Sequence, residues 1–401
     1  MSDVPVAERA PSADGRAAAP AGSALRSARS ELEAAATLHR AGAFDAAAAG
    51  YRAVLARRPD DIDALQLLGA AEVALGRAAD ALPRLQRALA LCPAHAAAHN
   101  HHGLALAALG RLDGAEAAFD AATRHAPGLV PAWVNLAATR VQRGASVPAI
   151  DAARRALALD PAAHDARVPL GTAWLALGDA AEAAQVLGAV PADAACAAEA
   201  CLNLGHAWRA LGRLDDARGA YDRGLAALAT AAPRADASLH GSLMAHAALL
   251  ALDRGDSAAA ATGAQQALQV APADTTASRV LARALRRLGR PAEALVVLDA
   301  LLGARPDDTI AWQERAQSAL ALQRVDDALD AYTRALALAP QQPWLFGQWL
   351  HTKLKACDWD GLEPAFQRLA HGLAAGEPLA TPFQVLLTPL PPSSQQQAAQ
   401  V

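Results

Sequence analysis

Histidines and arginines are the residues of this chain whose spacing suits chemistry. His95, His99 and His102 stand at i, i+4 and i+7, with His101 beside them, so a helix through this stretch puts the first three on one face. Imidazoles grouped in that way are candidate zinc ligands. No carboxylate or cysteine completes the set, and His95 falls in a preceding turn, so the expectation is a chain without metal or cofactor. Arg279, Arg283, Arg286 and Arg287 share one broad stripe of a helix, and guanidinium forks there can pair with carboxylate or phosphate. Balanced by neighbours such as Asp253, the same stripe would be a solvated charged face. Neither a Gly-x4-Gly-Lys-Ser/Thr phosphate loop, a Gly-x-Gly-x-x-Gly turn, a Gly-x-Ser-x-Gly elbow nor a His-Glu-x-x-His pair occurs, so the sequence offers no active site.

Composition says what must position these side chains. The 401 residues are 53% hydrophobic but only 4% aromatic, and alanine, the best helix former with little side-chain volume, dominates. Closely packed helices follow. A net charge of −4 supplies no basic field for nucleic acid. No run of about twenty apolar residues escapes charge or Gly/Pro interruption, so no membrane span is expected. The N-terminus lacks a basic region followed by an apolar core, so no secretory signal is expected either. Cys92, Cys196, Cys201 and Cys357 are scattered without a Cys-x2-Cys pair, which reads as reduced thiols in a cytoplasmic protein.

The stretch Cys201–Tyr221 gives the unit of construction. Leu204, Gly205 and Trp208 have the spacing of one helix, Ala217 and Tyr221 that of a second, and Gly212 lies between them, where a left-handed residue would end the first helix. The pattern recurs in register. Pro59, Pro93, Pro127 and Pro161 are spaced 34 residues apart, as are Pro272, Pro306 and Pro340. This resembles the tetratricopeptide repeat. Six repeats span 28–231, an insertion covers 232–240, and three more repeats span 241–342. Residues 1–27 and 391–401 read as disordered tails, and 343–390 as an aromatic-rich segment that caps the last apolar face. The expected fold is all-α: a right-handed superhelical solenoid of about nine helical hairpins with a C-terminal helical cap.

That resemblance implies where binding occurs. In such arrays the first helix of each repeat lines a concave groove, with positions 2, 5, 6, 9, 12 and 13 inward. It makes Asn135, Asn203, His101, His206, His246 and the four arginines of repeat eight the candidate peptide-binding residues. An asparagine at position 6 can hydrogen-bond an extended peptide backbone. Only Asn135 and Asn203 fill that role; Leu67, Pro169 and Val280 stand there in other repeats, so a continuous asparagine ladder is absent. The arginines would suit an acidic segment of a protein or peptide partner, and exposed repeat faces leave self-association open.

A second resemblance covers the junction. Lys355-Ala-Cys-Asp-Trp-Asp-Gly-Leu, Leu373-Ala-Ala-Gly-Glu and Thr381-Pro-Phe look like the segment where bacterial O-GlcNAc transferase-like (SPINDLY-type) proteins pass from their repeats into a UDP-sugar-dependent glycosyltransferase region. The sequence stops where that region would start, and no catalytic residue carries over. The expected function is therefore an interaction scaffold, the substrate-recognition part of such a protein. The alternative is a truncated form of the transferase itself.

Overall fold

The computed structural model describes residues 20–230 and 236–400, with side chains from residue 29 onward. Among the described residues there are twenty-two α-helices, one short 3-10 turn and no strand. They come in pairs at the expected period. The first four pairs are α1 (Pro20–Arg40) and α2 (Phe44–Arg57), α3 (Ile62–Ala74) and α4 (Ala78–Leu91), α5 (Ala96–Ala108) and α6 (Leu112–His125), then α7 (Val130–Gln142) and α8 (Ser146–Leu159). The fifth repeat supplies α9 (Arg167–Leu177) and α10 (Ala180–Gly188). Next come α11 (Ala197–Ala210) and α12 (Leu214–Thr230), α13 (Ala237–Asp253) and α14 (Ser257–Val270), α15 (Thr275–Arg287) and α16 (Pro291–Ala304), and α17 (Thr309–Ala321) and α18 (Val325–Leu338). The cap is α19 (Leu345–Lys355), α20 (Leu362–Ala374), α21 (Pro382–Val385) and α22 (Pro392–Gln400).

The chain forms two compact units, Met1–Asp179 and Ala180–Val401, so the division runs through repeat five, between α9 and α10. Within each unit the first helix of a repeat touches the first helix of the next, as α3 touches α5 and α13 touches α15, while each second helix wedges between them. Within each unit the first helices therefore form a layer. This is a solenoid whose core is alanine against leucine: Ala64, Ala71, Ala98, Ala115 and Ala122 are fully buried, as are their counterparts in the second unit.

Local chemistry explains the boundaries. Asp61, Asp274 and Asp308 accept hydrogen bonds from the backbone N–H three residues on, capping α3, α15 and α17. Gly212 takes φ +72°, and Arg213 N–H donates to Trp208 O at 2.8 Å, closing α11 before α12 begins. The ninth repeat makes the same turn with Gln323 at φ 61°, at a cost of about 1 kcal/mol relative to glycine.

Three expectations are corrected. Helix α1 begins at Pro20, inside the segment expected to be irregular; proline suits a first helical position, and alanine, leucine and arginine carry the helix on. Residues 1–19 lie outside the described residues. At the other end, 392–400 form α22 rather than a tail, because Ser394 and Ala398 are buried against the cap core of Phe346, Leu350, Leu369 and Leu373. The insertion is partly helical: residues 237–240 lengthen α13 to 17 residues, and 231–235 lie outside the described residues. Not all the aromatics of this segment are inside; Phe346 is buried and Trp359 is 66% exposed. Trp344 N–H and Gly347 N–H donate to Pro378 O and Leu379 O, tying the start of α19 to the segment before α21.

Candidate functional site

Three of the four histidines of 95–102 have separate structural tasks, and the buried Nε2 of His102 meets no hydrogen-bond partner. His95 caps α5, its Nδ1 accepting from Ala98 N–H at 3.1 Å. His99 Nε2 meets Pro93 O at 2.8 Å, and its ring stacks on His125 at 5.4 Å. This recurs: Trp133 and Trp312 donate to Pro127 O and Pro306 O, both at 2.9 Å. The fourth residue of a repeat thus fastens to the carbonyl of the proline closing the one before. His101 Nδ1 lies 2.6 Å from the Gln66 side-chain amide, and burial lowers its pKa to about 4, so it is neutral at pH 7. Among the described residues no group of three or more His, Cys, Asp or Glu is disposed to hold a metal.

The asparagine of repeat four is also engaged. Asn135 Nδ2 donates to Oδ1 of the buried Asn100 at 3.0 Å. Like the Gln66–His101 pair, this one is separated by 35 residues: position 5 of one repeat meets position 6 of the next. The first helices are laced side to side by polar groups, which occupies the amide expected to grip a peptide. Asn203 is half-buried on α11. These partners, Gln66 and Asn100, were missed from sequence; their signal was the offset of one repeat plus one residue.

The arginines of repeat eight are brought together on α15, and α17 answers them. Arg283 Nε lies 3.2 Å from Glu314 Oε1, and Arg286 Nη2 lies 3.1 Å from Oε2 and 2.7 Å from Gln317 Oε1. Arg279 reaches Asp308 at 3.7 Å and donates to Thr275 O. Arg287 Nη1 donates to Leu252 O at 2.8 Å, capping the last turn of α13. Asp253, named above as a balancing neighbour, instead pairs with Arg209 at 2.7 Å. Three guanidinium groups therefore meet two carboxylates and the fourth, Arg287, a backbone carbonyl, and Arg283 is the most exposed of the arginines in these ion pairs. Helix α15 thus carries more guanidinium groups than the carboxylates they pair with.

Between them lies a compact aromatic cluster. The His206 and His246 ring centroids are 4.4 Å apart, each 6.1 Å from that of the buried Tyr221. His246 Nδ1 meets Ser242 O at 2.8 Å. Burial, then the neighbouring His246 and Arg209, lowers the His206 pKa to about 3; burial lowers that of His246, with Ser242 and Asp274 opposing and Arg209 and Arg279 reinforcing. At pH 7 both rings are neutral in the folded state. The folded pKa lies below the unfolded value near 6.5, so the unfolded chain binds the extra protons at intermediate pH. Stability is complete above pH 6.5 and falls on acidification toward the folded pKa. Lowering pH from 7 to 4.5 should cost the second unit on the order of 2 kcal/mol through His206. Urea titrations of wild type and His206→Gln at both pH values check this, the variant losing clearly less.

Comparisons with known proteins follow the same outline. The tetratricopeptide repeat family model matches residues 67–129, 247–309 and 281–343. No curated protein matches the sequence. Among solved structures, the chain is similar to the APC/C hetero-tetramer Cut9-Hcn1, with TM-score 0.57 and 18% identity over 69% of this chain and 52% of that one. It thus spans about half the length of that relative. It is also similar to a tetratricopeptide repeat protein from Parabacteroides merdae ATCC 43184, with TM-score 0.50 and 13% identity over 65% of this chain and 99% of that one. Identities this low speak for the fold alone. The 34-residue period and the paired helices agree with the matched segments, so residues 67–129 and 247–343 match tetratricopeptide repeats and the other helical pairs of the array share their architecture.

Proposed function

We propose that the chain is a protein-interaction scaffold that holds an extended acidic segment of a partner across the first helices of repeats seven to nine. The observation that carries this reading is the charge imbalance on α15: four guanidinium groups against two carboxylates, on the layer that forms the inner surface in such arrays. Arg279 and Arg283 are the side chains offered to the partner. Arg286 and Arg287 hold Glu314 and the end of α13.

The junction resemblance supports a finer reading, that the array selects protein substrates for a UDP-sugar-dependent transferase region of the O-GlcNAc transferase-like kind. One set of binding experiments addresses both. A fluorescein-labelled twelve-residue peptide of alternating Glu and Ala should bind and be released by salt, and its lysine counterpart should not. Arg279→Ser with Arg283→Ser should weaken binding about tenfold, whereas Val296→Ser on the outer helix α16 should leave it unchanged. Equal affinity in all three proteins removes the groove as the site. Calorimetry with UDP-GlcNAc should show no binding by this chain; saturable binding would replace the scaffold reading with an enzymatic one.

A further inference from the structure

Repeat five departs from the rest in a way that opens a second site, independent of the polar groove. The second helices α2, α4, α6, α8, α14, α16 and α18 are each 14 residues long. Helix α10 has 9 and ends at Gly188. Pro191 explains the stop: it has no N–H to donate, and it pushes Val190 out of helical conformation. The last turn and a half of the usual second helix is missing.

Elsewhere that missing turn has a definite job. In repeat two, Ala88 and Leu89 at the end of α4 pack in one cluster with Ala98 of α5; in repeat seven, Ala267 and Leu268 of α14 pack with Ala277 of α15. An alanine–leucine pair thus covers the start of the next first helix. In repeat six the equivalent surface is Ala200 and Cys201, with Leu204 one turn on. These three line a cavity of about 510 Å³, walled by α12 and by the loop that replaces the lost turn. The lining is mostly apolar and open to solvent, with Arg223 on the α12 wall near the Cys201 thiol. Helix α12 extends the wall, running 17 residues to Thr230. The volume lies in the range of built ligand sites.

We propose that this cavity receives a short amphipathic helix from a partner protein, whose leucine takes the place of the absent leucine of repeat five and whose acidic residue faces Arg223. Shape argues for a helix, since the array itself fills the same position with a helical turn in other repeats. Charge argues for an acidic neighbour to the leucine on the α12 side, since Arg223 there is the lining cation and enters none of the ion pairs among the described residues, while the one lining carboxylate, Asp193, belongs to the loop after α10. The helix-in-groove mode supplies the geometry: an apolar anchor with flanking polar contacts.

The probe is a stapled helical peptide copying residues 150–159, the second half of α8, with Arg154 and Arg155 changed to glutamate. Its Leu157→Asp version is the control. Fluorescence anisotropy should give saturable binding in the micromolar range, lost at least tenfold for the control. Ala226→Trp, on the exposed side of α12, should block the cavity while leaving the melting curve intact; Arg223→Glu should weaken binding and leave folding untouched. Bound peptide should protect Cys201 from alkylation more than Cys92 or Cys357, read by mass spectrometry. Unprotected Cys201, affinity indifferent to both variants, or no binding at millimolar peptide overturns the proposal. Decanoate displacing a solvatochromic dye from the cavity while the peptide does not would also overturn it, marking a small-molecule site.

Discussion

Gly205→Val should destabilise the α11–α12 pair by about 3 kcal/mol or more. A Cβ built on Gly205 falls 2.6 Å from both Cδ1 and Cζ of Tyr221, whose ring is completely buried. The ring cannot swing away, because Leu243 and Leu250 of α13 pack in the same cluster. Position 8 of the repeat is small here because the side chain at position 24 lies over it. Alanine is the milder case: repeat nine seats Tyr332 opposite Ala316, so Gly205→Ala asks only for a spacing the array already adopts. Removing the ring is as damaging as crowding it. Tyr221→Ala should cost roughly 3–5 kcal/mol by leaving a cavity, whereas Tyr221→Phe should be neutral or stabilising, since its buried hydroxyl meets no donor or acceptor. Hydrogen exchange of the α11–α12 amides resolves the effect locally, which a solenoid requires because its repeats open in segments. Unchanged protection in Gly205→Val would mean that the two helices part without loss.

Glu314→Ala should be the second large effect, and it acts on stability and binding in opposite directions. Glu314 is nearly buried, and its two oxygens separately meet Arg283 and Arg286. Truncating a buried carboxylate strands its partners, which costs about 3–5 kcal/mol when the cations are enclosed. These guanidinium groups retain access to water, so a loss of about 2 kcal/mol is expected here. Arg283→Ala made together with Glu314→Ala should recover part of it, giving a measurable coupling in a denaturation double-mutant cycle. Meanwhile Glu314→Ala leaves the stripe more positive, so the acidic peptide should bind several-fold tighter. Weaker binding by that variant would show that Glu314 organises the arginines for the partner rather than competing with it.

The same pair shows why charge-reversal tests of the stripe need care. Arg283 and Arg286 read from sequence as equivalent members of one helix face. In the folded chain Arg286 is held by Glu314 and Gln317, so reversing it disturbs α17 as well as any partner. Arg279 and Arg283 meet Asp308 and Glu314 in turn, so melting curves of their variants must accompany the binding measurement.

Much of the fold was legible because the packing of helical repeats is local and periodic. Alanines, closing prolines and turn glycines recur every 34 residues, and each repeat meets mainly its neighbours, so the order and pairing of helices follow from spacing. Repeat five lacks a proline at the closing position, but that did not mark its second helix as short. Side-chain partnership was not legible, because it crosses from one repeat to the next. Asn100 with Asn135, Glu314 with two arginines and His206 against His246 depend on how far adjacent first helices slide and turn. The cavity beside Cys201 depends on Pro191 removing a turn whose neighbours are contributed by two other helices. Sequence alone determined that this protein is a chain of alanine-rich helical pairs, because hydrophobic period and helix-ending residues act within a single repeat. Only tertiary structure decided which polar groups are already satisfied and which surface is left uncovered, because both are set by contacts between repeats that no local pattern records.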